Sequence, residues 1–370
     1  MNILFLVSSM HAGGAERVAS TLTNAWASRG DRVTLMPTFS CRGDCFYPLS
    51  SAVHLVYLTD LVSSRSRTWF DRVARLRTLR RFIIAEHPDI IVSFLSNVNV
   101  AAIIAAAGLG IPVIACERTD PFIKSPASSL SLWLAFRLIY PRVDVLMVQT
   151  QAVAAKYAKL HWAPKRVRVI QNPIPEEMMN IQHQPSVNAK KCVLSVGRLE
   201  DDKQFDVLIK VFAGMAARYE NWTLRIIGEG SMRPVLQRQI INLGLQGRVE
   251  LPGRSKDIGE EFAKADIFVL TSRREGFPNA LLEAMTVGLP CVSFDCPSGP
   301  REMSEDGKVA LLVPLNDERT LGLTLEQLMS DEDLRRSLGR RARASVLERF
   351  VLEKVLARWD LLFKEVGINR

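Results

Sequence analysis

Short apolar runs recur along the whole chain, separated by stretches with helical character. Up to residue 170 they fall at Ile3–Val7, Val33–Met36, Val53–Tyr57, Ile90–Phe94, Val113–Ala115, Val145–Val148 and Val167–Ile170. Between the first two, Glu16–Arg29 has helical character and stops at Gly30, where a helix C-terminus favours glycine. Strands alternating with helices in this way imply βαβ units and a parallel sheet. The stretch Gln171–Ala189 breaks the pattern with Pro173, Pro175 and Pro185 and reads as a linker. The alternation then restarts with runs at Cys192–Val196, Thr223–Ile227, Val249–Leu251, Ile267–Leu270 and Cys291–Phe294. Helices are expected at Phe205–Arg218, Met232–Leu243 and Ala280–Val287, and from Glu318 the chain is helical and charged. A chain of 370 residues is long enough for two domains. The expected fold is α/β: two doubly wound domains, 1–172 and 190–370, joined by a linker at 173–189. The last helix is left free to cross back to the first domain. Ligands of such sheets bind beyond the carboxyl ends of the strands, here in a cleft that the two domains share.

Charge separates the halves. Residues 1–170 carry 20 Lys+Arg against 10 Asp+Glu, whereas residues 171–370 carry 28 against 29. The whole excess of +9 therefore belongs to the first half, which calls for an anionic partner there. Its densest part is Arg65–Arg81, with Arg72, Arg75, Arg77, Arg80 and Arg81 on one expected helix. The apolar stripe of that helix is interrupted by Arg72 and Arg80, so a solvated basic helix and a phosphate-seeking helix both fit. Further on, Leu130–Tyr140 has nine apolar residues in eleven, including Trp133 and Phe136. It reads either as a buried helix or as an interfacial one. No nucleic-acid-binding module is recognisable, so an anionic membrane surface or a lipid diphosphate is the expected partner rather than nucleic acid. The N-terminus lacks the basic n-region of a secretory signal, and the six cysteines make no paired CxxC pattern. The uncharged stretch Ile90–Cys116 contains Gly108, Gly110 and Pro112, so it parses as strand, helix, strand rather than as a membrane span. A cytoplasmic protein, peripheral on the inner face of the cell membrane, is expected.

Three motifs follow strands. Gly13-Gly14 after the first strand leaves backbone N–H groups at a helix start, which suits a phosphate as well as a tight turn. It lacks the full GxGxxG pattern, which disfavours a dinucleotide. In Val196-Gly197-Arg198-Leu199-Glu200-Asp201-Asp202-Lys203, two cations follow a strand and suit a diphosphate, or simply the neighbouring aspartates. In Glu275-Gly276-Phe277-Pro278-Asn279-Ala280-Leu281-Leu282-Glu283, two carboxylates flank a helix start and suit sugar hydroxyls. An early helical glutamate such as Glu283 also has an ordinary electrostatic reason.

In this order the motifs resemble glycosyltransferase family 4, retaining enzymes of the GT-B fold with two Rossmann-like domains. The runs Gly276-Phe277-Pro278-Asn279-Ala280 and Cys296-Pro297-Ser298-Gly299-Pro300-Arg301-Glu302 resemble the branch that builds bacterial exopolysaccharide, O-antigen and lipid-linked glycans. The resemblance implies a hexosyl- or N-acetylhexosaminyltransferase using a nucleotide sugar, expected to be UDP-linked, and a lipid-linked saccharide acceptor. It implies no cofactor and no metal. Gly13 and Gly14 would lie near the donor phosphates, Arg198 and Lys203 on the diphosphate, and Glu275 on the donor sugar. Glu283 would bind the ribose, and Gly253 and Arg254 the base, with Gly276, Phe277 and Asn279 in the donor loop. Lys203 is followed by Gln204 where many relatives have glycine. Glu117 or Arg118 stands where many have a catalytic histidine, with His11 ranked below Glu117. Arg72, Arg75, Arg77, Arg80, Arg81, Trp133 and Phe136 would serve acceptor or membrane. The rival readings are a sugar-nucleotide epimerase of similar fold, a phosphorylase (for which no pyridoxal phosphate lysine is seen) and an inactive sugar-nucleotide-binding subunit.

Overall fold

The computed structural model describes residues 1–40, 45–62, 69–120, 130–184 and 190–368. Two parallel sheets carry the chain. The first is built from β1 (Asn2–Val7), β2 (Arg32–Pro37), β3 (Val53–Leu55), β4 (Ile90–Phe94), β5 (Val113–Cys116), β6 (Val145–Val148) and β7 (Val167–Val169), in the order β3-β2-β1-β4-β5-β6-β7. The second holds β8 (Lys191–Val196), β9 (Trp222–Ile227), β10 (Val249–Gly253), β11 (Ile267–Leu270), β12 (Cys291–Asp295) and β13 (Leu311–Pro314), in the order β10-β9-β8-β11-β12-β13. Every strand pairing is parallel. The central strands are covered on both faces, which is why they read as unbroken apolar runs: β4, β5, β6 and β11 are buried at every position. In each sheet the order reverses beside its first strand, between β1 and β4 and between β8 and β11. Ligands of open α/β sheets bind at such points.

The chain divides into two compact units, Met1–Pro173 with Glu353–Arg370, and Ile174–Leu352. The final helix, Leu352–Glu365, belongs to the first unit. Its Trp359 and Phe363 pack on Trp26 at ring-centroid distances of 5.5 Å each, and Asp360 pairs with Arg29 at 3.1 Å. Burying aromatic rings of this size is worth several kcal/mol before entropy, roughly 25 cal/mol per Å². Residues 174–184 of the expected linker pack in the second unit. Ile174 and Met178 are buried in its core, and Arg343 donates to the carbonyls of Ile181 at 3.0 Å and Met179 at 2.8 Å. The Ile90–Cys116 segment folds as β4, the helix Ser96–Ala106 and β5. No described helix is long and apolar enough to cross a membrane.

Candidate active site

The second unit assembles its site from five strand ends. After β8 the chain turns through Gly197, Arg198 and Leu199, and this turn is pinned to the ends of β9 and β10. Gly197 N–H donates to Ile227 at 3.0 Å, Leu199 N–H to Glu229 at 2.9 Å, and Gly228 N–H to the Gly253 carbonyl at 2.8 Å. The approach is too close for side chains. A Cβ on Gly228 would lie 1.8 Å from the Gly197 carbonyl oxygen, and one on Gly230 2.3 Å from that of Leu199. Gly228-Glu229-Gly230 was not singled out from the sequence, although a Gly-x-Gly directly after a strand is the signal of such an approach. Glu229 is held by both arms of Arg233, at 2.7 Å each, which together with nearby Arg254 lowers its pKa. Arg198 and Arg254 are exposed beside this knot.

From the turn the chain enters a short 3-10 helix, Asp201–Lys203, and here the two main motifs meet. Lys203 Nζ donates to Glu275 Oε1 at 2.6 Å, with 16% and 12% of the two side chains exposed. Glu275 lies in the loop after β11, which also reaches back: Thr271 Oγ1 donates to the Lys203 carbonyl at 2.8 Å, and Arg273 N–H to that of Asp202 at 2.7 Å. The Cys296–Glu302 run packs on the Glu275 motif, since Ser298 Oγ donates to the Gly276 carbonyl at 3.2 Å. Asn279 opens the helix Asn279–Val287, and Glu283 is buried within it. The Phe277 side chain turns inward. Its ring is in the core, edge-on to Phe350 at 5.5 Å, so truncation to alanine would cost about 3–5 kcal/mol of stability.

In the first unit Gly13 caps the helix Gly14–Ser28 in extended backbone. The carboxylate of Glu16, in the first turn, folds back to it: Ser9 Oγ donates to Glu16 Oε1 at 3.0 Å, and a Cβ on Gly13 would meet Oε2 at 2.3 Å. The protein's own carboxylate thus sits at the helix end that sequence reasoning gave to a phosphate, where its charge is favourable. Beyond β5, Glu117 is 1% exposed and both its oxygens are taken. Ser96 Oγ donates to Oε2 at 2.8 Å, and Asn99 Nδ2, at 3.2 Å, and the Tyr140 hydroxyl donate to Oε1. Burial raises the Glu117 pKa, and these three donors oppose the rise. Arg118 is also buried. Its guanidinium lies 4.2 Å from the centre of the Phe94 ring and donates to Asn172 Oδ1 at 2.5 Å, while its Nε has no hydrogen-bond partner. Burial lowers its pKa to about 10, against the pull of Glu16. Of the two candidates for the histidine position, Arg118 has an unpartnered guanidinium N–H, whereas both Glu117 oxygens accept from Ser96, Asn99 and Tyr140.

The basic helix runs from Trp69 to Glu86 and divides the arginines by role. Arg72, Arg77 and Arg81 are exposed. Arg75 is half-buried, 5.6 Å from the centre of the Phe39 ring. Arg80 is spent inside the fold: its Nη1 donates to the carbonyls of Ala105 and Ala107 at 2.8 Å each, closing the C-terminus of the helix Ser96–Ala106. The helix Leu130–Ile139 exposes Leu134 and Leu138, and its Phe136 ring packs edge-on against Tyr140 at 4.5 Å. The Trp133 side chain lies outside the described residues. Among the described residues no group of His, Cys, Asp and Glu is placed to hold a metal ion.

Comparison with known proteins fits this construction. Residues 12–177 match the family model described as Glycosyltransferase Family 4, and residues 179–345 that of Glycosyl transferases group 1. Covering most of both units, these matches make the protein a glycosyltransferase with the GT-B fold. It belongs to glycosyltransferase family 4, among relatives that build bacterial exopolysaccharide and lipid-linked glycans. It is 28% identical, over 99% of both chains, to the GalNAc-alpha-(1->4)-GalNAc-alpha-(1->3)-diNAcBac-PP-undecaprenol alpha-1,4-N-acetyl-D-galactosaminyltransferase of Campylobacter jejuni. It is 26% identical to the amylovoran biosynthesis glycosyltransferase AmsD of Erwinia amylovora, over 97% of this chain and 98% of that one. Anabaena HepE, solved in complex with UDP, superposes with a TM-score of 0.78 at 18% identity, covering 98% of this chain and 100% of that one.

Proposed function

We propose that the protein is a retaining glycosyltransferase that moves a hexose or N-acetylhexosamine from a UDP-sugar to a lipid-linked saccharide. The observation that carries this reading is the Lys203–Glu275 contact at the carboxyl ends of β8 and β11, with Arg198 exposed on the adjoining turn. A diphosphate leaving group carries away the electron pair of the broken C1–O bond, and two cations there stabilise it as the charge develops. The acceptor hydroxyl oxygen forms the new bond to C1 and its proton passes to the departing phosphate. Glu275 holds the donor sugar, Glu283 the ribose, and Gly253 and Arg254 the base through the chain. The backbone of Gly276, Phe277 and Asn279 completes the donor loop. With the cations supplied by side chains, the reaction proceeds without a divalent metal.

In this reading residues 190–370 take the donor and residues 1–172 the acceptor. The UDP in the HepE structure supports the donor, and the undecaprenol diphosphate in the name of the Campylobacter relative supports the acceptor. Arg72, Arg77 and Arg81, beside a first half with 20 basic against 10 acidic residues, would hold an anionic membrane surface or the acceptor diphosphate. A peripheral location on the inner face of the cell membrane is part of the same proposal, supported by this charge. The experiment is incubation with a panel of nucleotide sugars and undecaprenyl-diphosphate-linked acceptors, with and without EDTA, and assignment of the product anomer by NMR. Transfer with retention from a UDP-sugar, insensitive to EDTA, is expected. Absence of transfer across the panel, or an inverted product, refutes it.

A further inference from the structure

Gln204 directly follows Lys203 and has φ +51° and ψ +41°, the left-handed region that glycine enters without steric cost. It is buried, and although it stands at the start of the helix Phe205–Ala216 it makes no capping bond there. Its amide is used elsewhere. Nε2 donates to Asn316 Oδ1 at 2.9 Å, and Asn316, in the loop after β13, is itself left-handed with φ +65°. On one side, the turn before Gln204 is tied to the loop after β11 through Thr271, Arg273 and the 2.9 Å Arg273–Asp201 ion pair. On the other side the tie is the Gln204–Asn316 bond. A residue with a side chain relaxes to negative φ when nothing holds it, and that rotation would carry Lys203 away from Glu275.

We propose that Gln204 is a positioning residue: its bond to Asn316 holds the left-handed turn that presents the Lys203 ammonium to Glu275 and to the donor diphosphate. The last part rests on the reading of Lys203 as a diphosphate contact. Two readouts separate the claims. One is the reactivity of Lys203 in the ligand-free protein toward acetic anhydride, followed by peptide mass spectrometry. The other is UDP affinity by titration calorimetry. In Gln204→Ala and in Asn316→Gly, Lys203 should acetylate several-fold faster and UDP should bind about tenfold more weakly, the loss of a charge-assisted contact. Gln204→Gly should stay near wild type on both, because glycine takes this φ unaided, and adding Asn316→Gly to it should change nothing further. Unchanged Lys203 reactivity in Gln204→Ala and Asn316→Gly overturns the proposal, as does a Gln204→Gly protein as impaired as Gln204→Ala. Faster acetylation with UDP affinity intact leaves the positioning standing and sinks the diphosphate reading of Lys203.

Discussion

Lys203 and Glu275, 72 positions apart in the chain, are joined by a 2.6 Å hydrogen bond between Nζ and Oε1. Neither residue is on a regular strand or a long helix: Lys203 ends the short 3-10 helix Asp201–Lys203 after β8, and Glu275 lies in the loop after β11, at the strand-order reversal of the second sheet. The carboxylate holds the ammonium within the site while no anion is present. A diphosphate arriving there would compete with Glu275 for Lys203 and free the carboxylate to accept from sugar hydroxyls. In the proposed function the pair couples the two halves of donor recognition.

Arg198→Ala and Lys203→Ala should each weaken donor use by about 10- to 150-fold, equivalent to roughly 1.5–3 kcal/mol for a charge-assisted contact. Their effects on folding should differ. Arg198 is exposed, so its removal should leave Tm unchanged, whereas Lys203→Ala strands a mostly buried Glu275 and should lower Tm. Donor kinetics with calorimetry on both variants checks this, and normal donor kinetics in both would remove the diphosphate assignment.

Glu275→Gln should lose turnover, and Glu283→Gln should mainly raise the donor KM. An interaction made chiefly in the transition state lowers kcat, and one made equally in the ground state raises KM. The two residues are differently placed for this: Glu275 is in the loop with its carboxylate on Lys203, whereas Glu283 is buried a turn into the helix Asn279–Val287. Identical kinetic defects would show that no such division exists.

The parallel sheets were legible because strands covered on both faces advertise themselves as apolar runs. Leu311–Pro314 escaped, being a short edge strand that ends in proline. The motifs were legible as residue types placed after strands, but their contacts were not. Nothing in the spacing says that Lys203 meets Glu275 rather than Asp201 or Asp202. Phe277, between Gly276 and Pro278, has no periodic neighbours to reveal that its ring faces the core. Arg80 looked like one more member of a basic face because its partners are backbone carbonyls of another helix, and a sequence does not display carbonyl positions. Glu16 does not stand out in the sequence, because an acidic residue in a first helical turn is ordinary, and only the fold brings it against Gly13 and toward Arg118.

The basic helix should therefore split by mutation. Arg80→Ala removes two hydrogen bonds from a charged donor and should cost about 1.5–3 kcal/mol of stability, read as a Tm lower by roughly 2–4 °C per kcal/mol. The triple change Arg72→Ala, Arg77→Ala, Arg81→Ala should leave Tm nearly unchanged, because all three are exposed. It should lower co-sedimentation with anionic liposomes at low salt, since each basic residue near such a surface contributes about 1 kcal/mol. A triple variant that binds liposomes like wild type would detach membrane binding from this helix.

Glu117 makes a prediction in pH. Burial raises its pKa above the ordinary 4.5, so the folded protein binds its proton more tightly than the unfolded chain does. Between the ordinary and the raised value the unfolded state holds fewer protons, and stability must fall as pH rises through that window. Below it the carboxyl is protonated in both states and contributes no slope. Glu117→Gln keeps the shape and the acceptor oxygen for Tyr140 and Asn99 but cannot ionise. The variant should gain on wild type in Tm as pH is raised from about 4.5 toward neutrality. Tyr140→Phe should act in the opposite sense. It deletes one of the three donors that oppose the rise, so Glu117 should titrate higher and the loss of stability with pH should extend further. Parallel Tm–pH profiles for wild type and Glu117→Gln would show that Glu117 is not shifted and that its network is ordinary packing. If turnover on lipid-linked acceptors also survives in Glu117→Gln but is lost in Arg118→Met, the group that faces substrate in this unit is the guanidinium and Glu117 serves to hold the end of β5.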